Sequence, residues 1–361
     1  MSRLRVRNEP GFIARRSAPV LFSLVGLLTL APLSRAQITL GPVTVGAGLR
    51  TDYEHTEPAS GTSSDKFNLN DIRLYVNGDV TDKIKFMFNT DYNGGTNSLQ
   101  VLDAAAEFSA SPEFNLWAGR LLPPSDRANL AGPFYAPEWK VFTDAIQDGY
   151  NSVFQGRDNG LVYWGDFGKK TKLKLSFGAF DGGSLGTGSN TVLFAARAQL
   201  DFWDAEGGYY LNRTYYGDKN LLSLGGATQI QGSKTASTID FLMEKKLPNG
   251  GAFTLEGEYA NYNGFGGYLP GAIKSQGGYG LASYVFAKKV GVGKFEILGK
   301  FADAQSHGQK VSVTQKTTEV NLNYLIKQFN ARVQGFYEDT RFNTKANPNF
   351  WQAGIGLQIQ M

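Results

Sequence analysis

Along residues 67 to 92, FNLNDIRLYVNGDVTDKIKFMFNTDY, apolar and polar positions alternate one for one. Ile72, Leu74 and Val76 fall on one side of an extended chain, and Arg73, Tyr75 and Asn77 on the other. Gly78 to Thr81 break the pattern, and Ile84, Phe86 and Phe88 then alternate with Lys85, Met87 and Asn89. The spacing predicts a two-stranded hairpin closed by a tight turn.

The same period recurs through the chain. It predicts strands at 42–50, 102–108, 114–118, 160–167, 172–180, 192–201, 207–216, 221–230, 238–246, 251–261, 279–288, 294–303, 318–327, 331–339 and 351–361, with 207–216 returning as the partner of 192–201. That gives seventeen strands, against the even number expected of a closed bacterial membrane barrel, so one segment in the 218–261 region is expected to be misread and sixteen is the expected count. Thr51 to Lys66 reads as an exposed loop. The final row, Trp351, Ala353, Ile355, Leu357, Ile359 and Met361, is unbroken and apolar, as a strand that closes a cylinder onto the first strand requires.

The largest interruption runs from Leu121 to Arg157. It holds Pro123, Pro124, Pro133 and Pro137, the aromatics Phe134, Tyr135 and Trp139, and charges of both signs. A connection of that length with its own aromatics is expected to be ordered and packed onto or into the barrel.

Composition changes the picture in three ways. Residues 1–36 carry six arginines ahead of and around the apolar run Val20 to Leu30 and end in Ser34 and Ala36, the pattern of a cleaved export signal. Removing them takes away a net five positive charges from a formal +4, so the mature chain from Gln37 carries −1 and offers no general basis for nucleic-acid binding. Cysteine is absent, which excludes thiolate chemistry. The two histidines, His55 and His307, fall outside the expected wall strands, so no rigid nucleophile and base pair is expected; the chain reads as a protein without catalytic activity, cofactor or metal motif.

An export signal, repeated amphipathic strands and no long apolar run point to an all-β, transmembrane antiparallel β-barrel of 16 strands. It occupies 37–361 as one domain in the outer membrane of a Gram-negative bacterium, with its apolar rows against outer-membrane lipid. Tyr53, Tyr75, Tyr92, Trp117, Tyr163, Trp164, Trp203, Tyr259, Tyr324, Tyr337 and Trp351 are the aromatics expected to form belts at the lipid headgroups.

Three stretches carry a resemblance. FNLNDIRLYVNGDVTDKIKFMFNTDY, then LDAAAEFSASPEFNLWAGRLLPPSD from Leu102 to Asp126, then RDNGLVYWGDF from Arg157 to Phe167 resemble the phosphate-selective porin O and P family of sixteen-stranded outer-membrane channels. The resemblance implies a homotrimer, a third loop folded into the lumen at 121–157 as the constriction, and a path for small anions such as phosphate lined by arginine and lysine. The basic residue that follows a strand-ending glycine in that family corresponds to Arg120. With strand parity, the expected solute-binding set is Arg120, Arg127 and Lys140 at the constriction, facing Arg73 and Lys85 on the wall. The expected function is passive diffusion of small hydrophilic solutes and ions, with an anion or phosphate preference. The alternative is a structural or adhesive barrel without an open pore.

Overall fold

The structure, a computed structural model, describes residues 38–40, 42–93, 97–146, 156–168, 172–182, 191–264, 272–308 and 310–361; the expected export signal lies outside them. Among the described residues every regular element longer than five residues is a strand. After a short lead strand β1 (Ile38–Leu40), the wall begins with β2 (Val43–Pro58), β3 (Ser64–Asp79), β4 (Ile84–Asn93), β5 (Ser98–Ser111) and β6 (Phe114–Leu121). It continues through β7 (Asp158–Phe167), β8 (Lys172–Phe180), β9 (Leu193–Asp201), β10 (Leu221–Gln231), β11 (Lys234–Lys246) and β12 (Ala252–Asn263). The last five strands are β13 (Ala272–Val290), β14 (Gly293–Gly308), β15 (Ser312–Lys327), β16 (Ala331–Phe342) and β17 (Phe350–Gln360).

From β2 onward each strand pairs antiparallel with the next, and β17 pairs with β2 from Phe350↔Pro58 to Gln360↔Gly48. Sixteen strands therefore form a closed ring, and no wall edge is left for lipid to meet. Strand β1 is additional to the ring: it pairs with the first residues of β2, Ile38 opposite Val45 and Leu40 opposite Val43.

The direction of burial decides between a soluble and a membrane barrel. Along β15 the outward Val320 and Leu322 are 46% and 55% exposed, whereas Glu319, Asn321 and Asn323 are buried. Ile239 and Phe241 on β11, Phe194 on β9 and Ile355 and Ile359 on β17 are exposed in the same way, while Asp240, Arg197 and Gln358 point inward and are buried. An apolar exterior around a polar interior is stable only with hydrocarbon outside. Leu322→Arg, in the middle of β15, is accordingly expected to destabilise the barrel by about 2–4 kcal/mol. Urea titration in detergent micelles or bilayers checks this; a midpoint equal to the parent's would contradict a lipid-facing Leu322.

Three expectations are corrected. The misread segment is 207–216 and not part of 218–261: β9 pairs with β8 and with β10, Asp201 opposite Ser223, so 207–216 is not in the wall. Most of the expected loop 51–66 is strand, because β2 runs on to Pro58 and β3 begins at Ser64. Both histidines belong to strands, His55 to β2 and His307 to β14; their rings bond to Asp65 at 2.9 Å and to Ser312 at 2.9 Å on exposed strand ends. Among the expected belt aromatics, Tyr53, Tyr259, Tyr337 and Trp351 do face outward, but Trp117 and Trp164 are buried and meet edge to face at 5.7 Å.

Candidate functional site

Two irregular segments fill much of the space enclosed by the ring. The first follows β6. Asp126 caps helix α1 (Arg127–Ala131) by accepting from Asn129 N at 2.7 Å, Gly132 turns the chain with φ +68°, and Pro133 to Tyr135 form a single 3-10 turn. Irregular backbone inside a barrel needs partners for its carbonyls, and the inward row supplies them. Arg332 donates to Ala136 O at 2.7 Å, Gln334 to Pro137 O at 2.8 Å, Gln358 to Phe134 O at 3.0 Å and Arg50 to Trp139 O at 2.8 Å.

Glycines in the inward row seat the segment's large side chains. A Cβ on Gly48 of β2 would lie 2.8 Å from the Phe134 ring, one on Gly277 of β13 would lie 2.5 Å from Ile146, and one on Gly356 of β17 would fall within the Trp139 indole. The Trp139 ring is held further by Nε1–H donating to Asp52 at 2.7 Å and by the Arg50 guanidinium 4.3 Å from its centroid.

The second segment is the one read from sequence as a strand. It leaves β9 after Asp201 and returns at Leu221, on the rim that carries the tight turns: Gln328, in the β15–β16 turn, donates to Asp218 at 2.7 Å, and Lys246 N donates to Asn220 at 2.8 Å. The two segments thus enter from opposite rims and meet. Tyr209 donates to Leu122 O at 2.6 Å, Leu211 N to Leu130 O at 3.3 Å and Arg213 N to Tyr135 O at 3.1 Å. Leu122, Leu130, Tyr209 and Leu211 form one apolar cluster with Trp117 and Trp164 of the wall.

Two fully buried arginines lock the meeting point. Arg127 of the first segment forks onto Glu206 of the second at 2.8 and 2.7 Å and donates to Asn212 O at 2.7 Å. Arg213 of the second segment pairs with Glu138 of the first and with Glu256 of β12 at 2.7 Å. Burial alone would raise both segment carboxyls, but Arg213 and Lys300 hold Glu138 at about 2, and Arg127 holds Glu206 at about 2. Both values lie below the ordinary 4.5, so the stabilisation is complete above that value and is lost as pH falls towards 2. Protease access to 202–220 is therefore expected to stay flat from neutral pH down to about 5 and to rise steeply only below about 4. A rise centred near pH 6 would contradict these pairings.

The residues singled out from sequence are placed as follows. Arg73 points inward, 3.3 Å from Asp91 and 3.9 Å from Asp71, with the Phe134 ring 4.9 Å from its guanidinium. Arg127 is in the buried lock. Lys140 donates to Glu54 of β2 at 2.6 Å. Lys85 sits beside the β3–β4 turn, half exposed, 3.2 Å from Asp79. Arg120 lies opposite Ala104 and Asn159 and shares its parity with the exposed Phe114 and Ala118, not with the buried Trp117 and Leu121. Arg213, Glu206, Asp240 and Glu256 were not legible as a group, since 79 residues separate Arg127 from its partner Glu206 and 113 separate it from Asp240.

A chamber of about 340 Å³ lies between the inward faces of β3, β4 and β5 and the two segments, lined by Arg73, Tyr75, Asn77, Met87, Asn89, Leu102, Asp103 and Arg157 from the wall side and by Asn129, Leu130, Ala131, Tyr135, Tyr210, Leu211 and Asn212 from the segments.

No family model matches the chain, and no curated protein matches it. Solved structures do. OprB of Pseudomonas putida, in its high-pH structure, superposes with a TM-score of 0.64 at 8% identity over 89% of this chain and 94% of that one. The anion-selective porin from Comamonas acidovorans gives 0.58 at 13% identity over 88% and 99%, and the outer membrane channel DcaP of Acinetobacter baumannii gives 0.57 at 16% over 88% and 97%. This is the outer-membrane porin fold. With its apolar exterior, the porin fold places the chain in the outer membrane of a Gram-negative bacterium. At these identities the likeness extends to architecture alone, so the resemblance to the O and P porins rests on the motifs that carry it.

Proposed function

We propose that the protein is a diffusion porin whose path runs through the chamber beside β3, β4 and β5. The supporting observation is the chamber itself: the two segments close much of the lumen with apolar packing and buried ion pairs, yet leave a space against β3, β4 and β5 whose lining is mainly apolar with charged and amide groups set into it. Solutes would cross there down their gradient, sorted by width and by the groups that line the gap. Segment 122–146 acts in this reading as the constriction, with Arg73 and Arg157 as the cations that reach the path. Arg127 and Lys140 act one step back, holding the constriction in place through Glu206 and Glu54.

An anion preference, phosphate included, follows only as far as the lining cations outweigh their carboxylates. Here Arg73 is bound to Asp91 and Arg157 lies 3.3 Å from Asp103, which argues for a weak preference. A homotrimer is part of the same reading. The exterior of β5 and β6 carries the small Ala104, Ala106 and Ala118 beside the exposed Phe108 and Phe114, a mixture of small and aromatic side chains suited to packing against another copy.

One observation favours the rival reading of a structural or adhesive barrel, namely how completely Arg127, Arg213, Glu138 and Glu206 are buried across the lumen. Purified protein in a planar bilayer separates the two. Discrete conductance steps, with a reversal potential in a salt gradient only slightly displaced towards the anion side, are the expected result; a membrane that stays silent would remove the pore reading.

A further inference from the structure

The chamber has more chemistry than a neutral gap requires. Its lining is mainly apolar, and four of the polar groups set into it are carboxamides: Asn77 and Asn89 come from the wall and Asn129 and Asn212 from the segments, with Asn89 and Asn129 already donating from Nδ2 to Asp103 and Asp126. The phenols Tyr75 and Tyr210 lie among them. The Asn89 Oδ1 atom is buried without a hydrogen-bond partner among the described residues, an acceptor that a hydroxyl in the chamber would satisfy.

The charges here are already committed. Asp103 accepts from Tyr210 at 3.0 Å, from Asn89 at 3.1 Å and from Arg157 at 3.3 Å, and Arg73 is held by Asp91 and Asp71. An entering phosphate would have to draw an arginine from a buried carboxylate and leave that carboxylate behind, which is costly in a desolvated site. A neutral solute that presents several hydroxyls needs no such exchange. It can pair with amides in either sense and lay its C–H faces on the tyrosine rings. The volume, about 340 Å³, is at the small end of ligand pockets and matches a solute of monosaccharide size.

From this lining we infer that the chamber is a binding subsite for uncharged polyhydroxylated solutes of monosaccharide size, which it favours over phosphate. The inference rests on the pore reading above and names its solute class. The subsite lies within the path, so binding shows as interruption of the ionic current.

The test uses purified full-length mature protein in a planar bilayer with potassium chloride, adding D-glucose or inorganic phosphate at matched concentration. Glucose is expected to produce brief, concentration-dependent closures, and phosphate none. Asn77→Ala combined with Tyr75→Phe should raise the half-blocking glucose concentration by roughly fivefold, the loss of about one net hydrogen bond, with the closures counted against the variant's own open-channel current. Should that pair fold poorly, Asn212→Ala gives a second variant from the opposite side of the chamber with the same expected direction. Clear conductance steps without glucose closures, or closures with phosphate instead of glucose, would overturn the subsite and leave the pore standing. The absence of steps in the parent would overturn both.

Discussion

Arg213→Met is expected to raise single-channel conductance by roughly twofold or more and to make 202–220 a protease target, because it unlocks one internal segment from the other. The guanidinium is the shared partner of Glu138 and Glu256 in a site with almost no solvent. Removing one member of such a group strands its partners, at a cost of about 3–5 kcal/mol when no other cation is near. Lys300, 3.3 Å from Glu138, still offsets part of this, whereas Glu256 keeps only a hydrogen bond from Tyr279 at 2.8 Å. The cheapest relief is for 202–220 to withdraw towards its own rim and admit water to the carboxylates. The wall itself keeps its ladder, so the protein should still fold and insert. Adding Glu138→Gln and Glu256→Gln to the same chain removes the stranded charges and should recover much of the parent behaviour. Parent-like conductance together with parent-like protease resistance in the single variant would show that Arg213 does not hold the segments together.

Gly356→Val should unseat Trp139 and with it the segment from Phe134 to Lys140. The added methyl groups would occupy the indole's position against β17, and strand backbone bonded on both sides cannot retreat. The indole must then leave, giving up its bond to Asp52 and its stacking with Arg50. Overpacking of this kind costs about 1–3 kcal/mol, and loss of the Trp139 contacts adds to it. The matched control is Gly299→Val on β14, an outward position with nothing within 4 Å of an added Cβ and one where a β-branched side chain suits a strand. The expected outcome is a red-shifted tryptophan emission and new trypsin cleavage at Lys140 for Gly356→Val, and neither for Gly299→Val. Equal behaviour of the two variants would mean that the glycine is not a seat for the ring.

The wall was legible because its rule is local. Each strand alternates by itself, and Ile72, Leu74, Arg73 and Tyr75 can be sorted by counting. The same rule produced the one false strand. Tyr209 and Leu211 stand two apart and are both buried, but they bury against Leu122 and Leu130 inside the ring and not against lipid outside it. A period of two records that one side of an extended segment is apolar, not which surface covers it. Asp201, Asp204 and Glu206 ahead of Gly207 and Gly208 were the available hint, since such a run suits a wet interior better than a membrane strand. The lock itself had no local signature: Arg127, Glu206, Arg213 and Glu256 become neighbours only when the ring closes. Parity placed Arg73 inward with its neighbours, but nothing in the pattern announced that Asp91 and Asp71 would be beside it.

Where the glycine seats lie also sets an order of assembly. Gly48 belongs to β2 and Gly356 to β17, the two strands that form the seam of the cylinder, and Gln358 of β17 supplies the bond to Phe134 O. Phe134 and Trp139 therefore have no complete docking surface until the last strand has found the first, a contact between distant parts of the chain and of the kind that forms slowly. The segment behaves as a bolt that can slide home only after the door is shut. A barrel stalled with its seam open would be recognisable to the cell by a protruding, protease-sensitive loop, and completion of the cylinder would be the event that hides it.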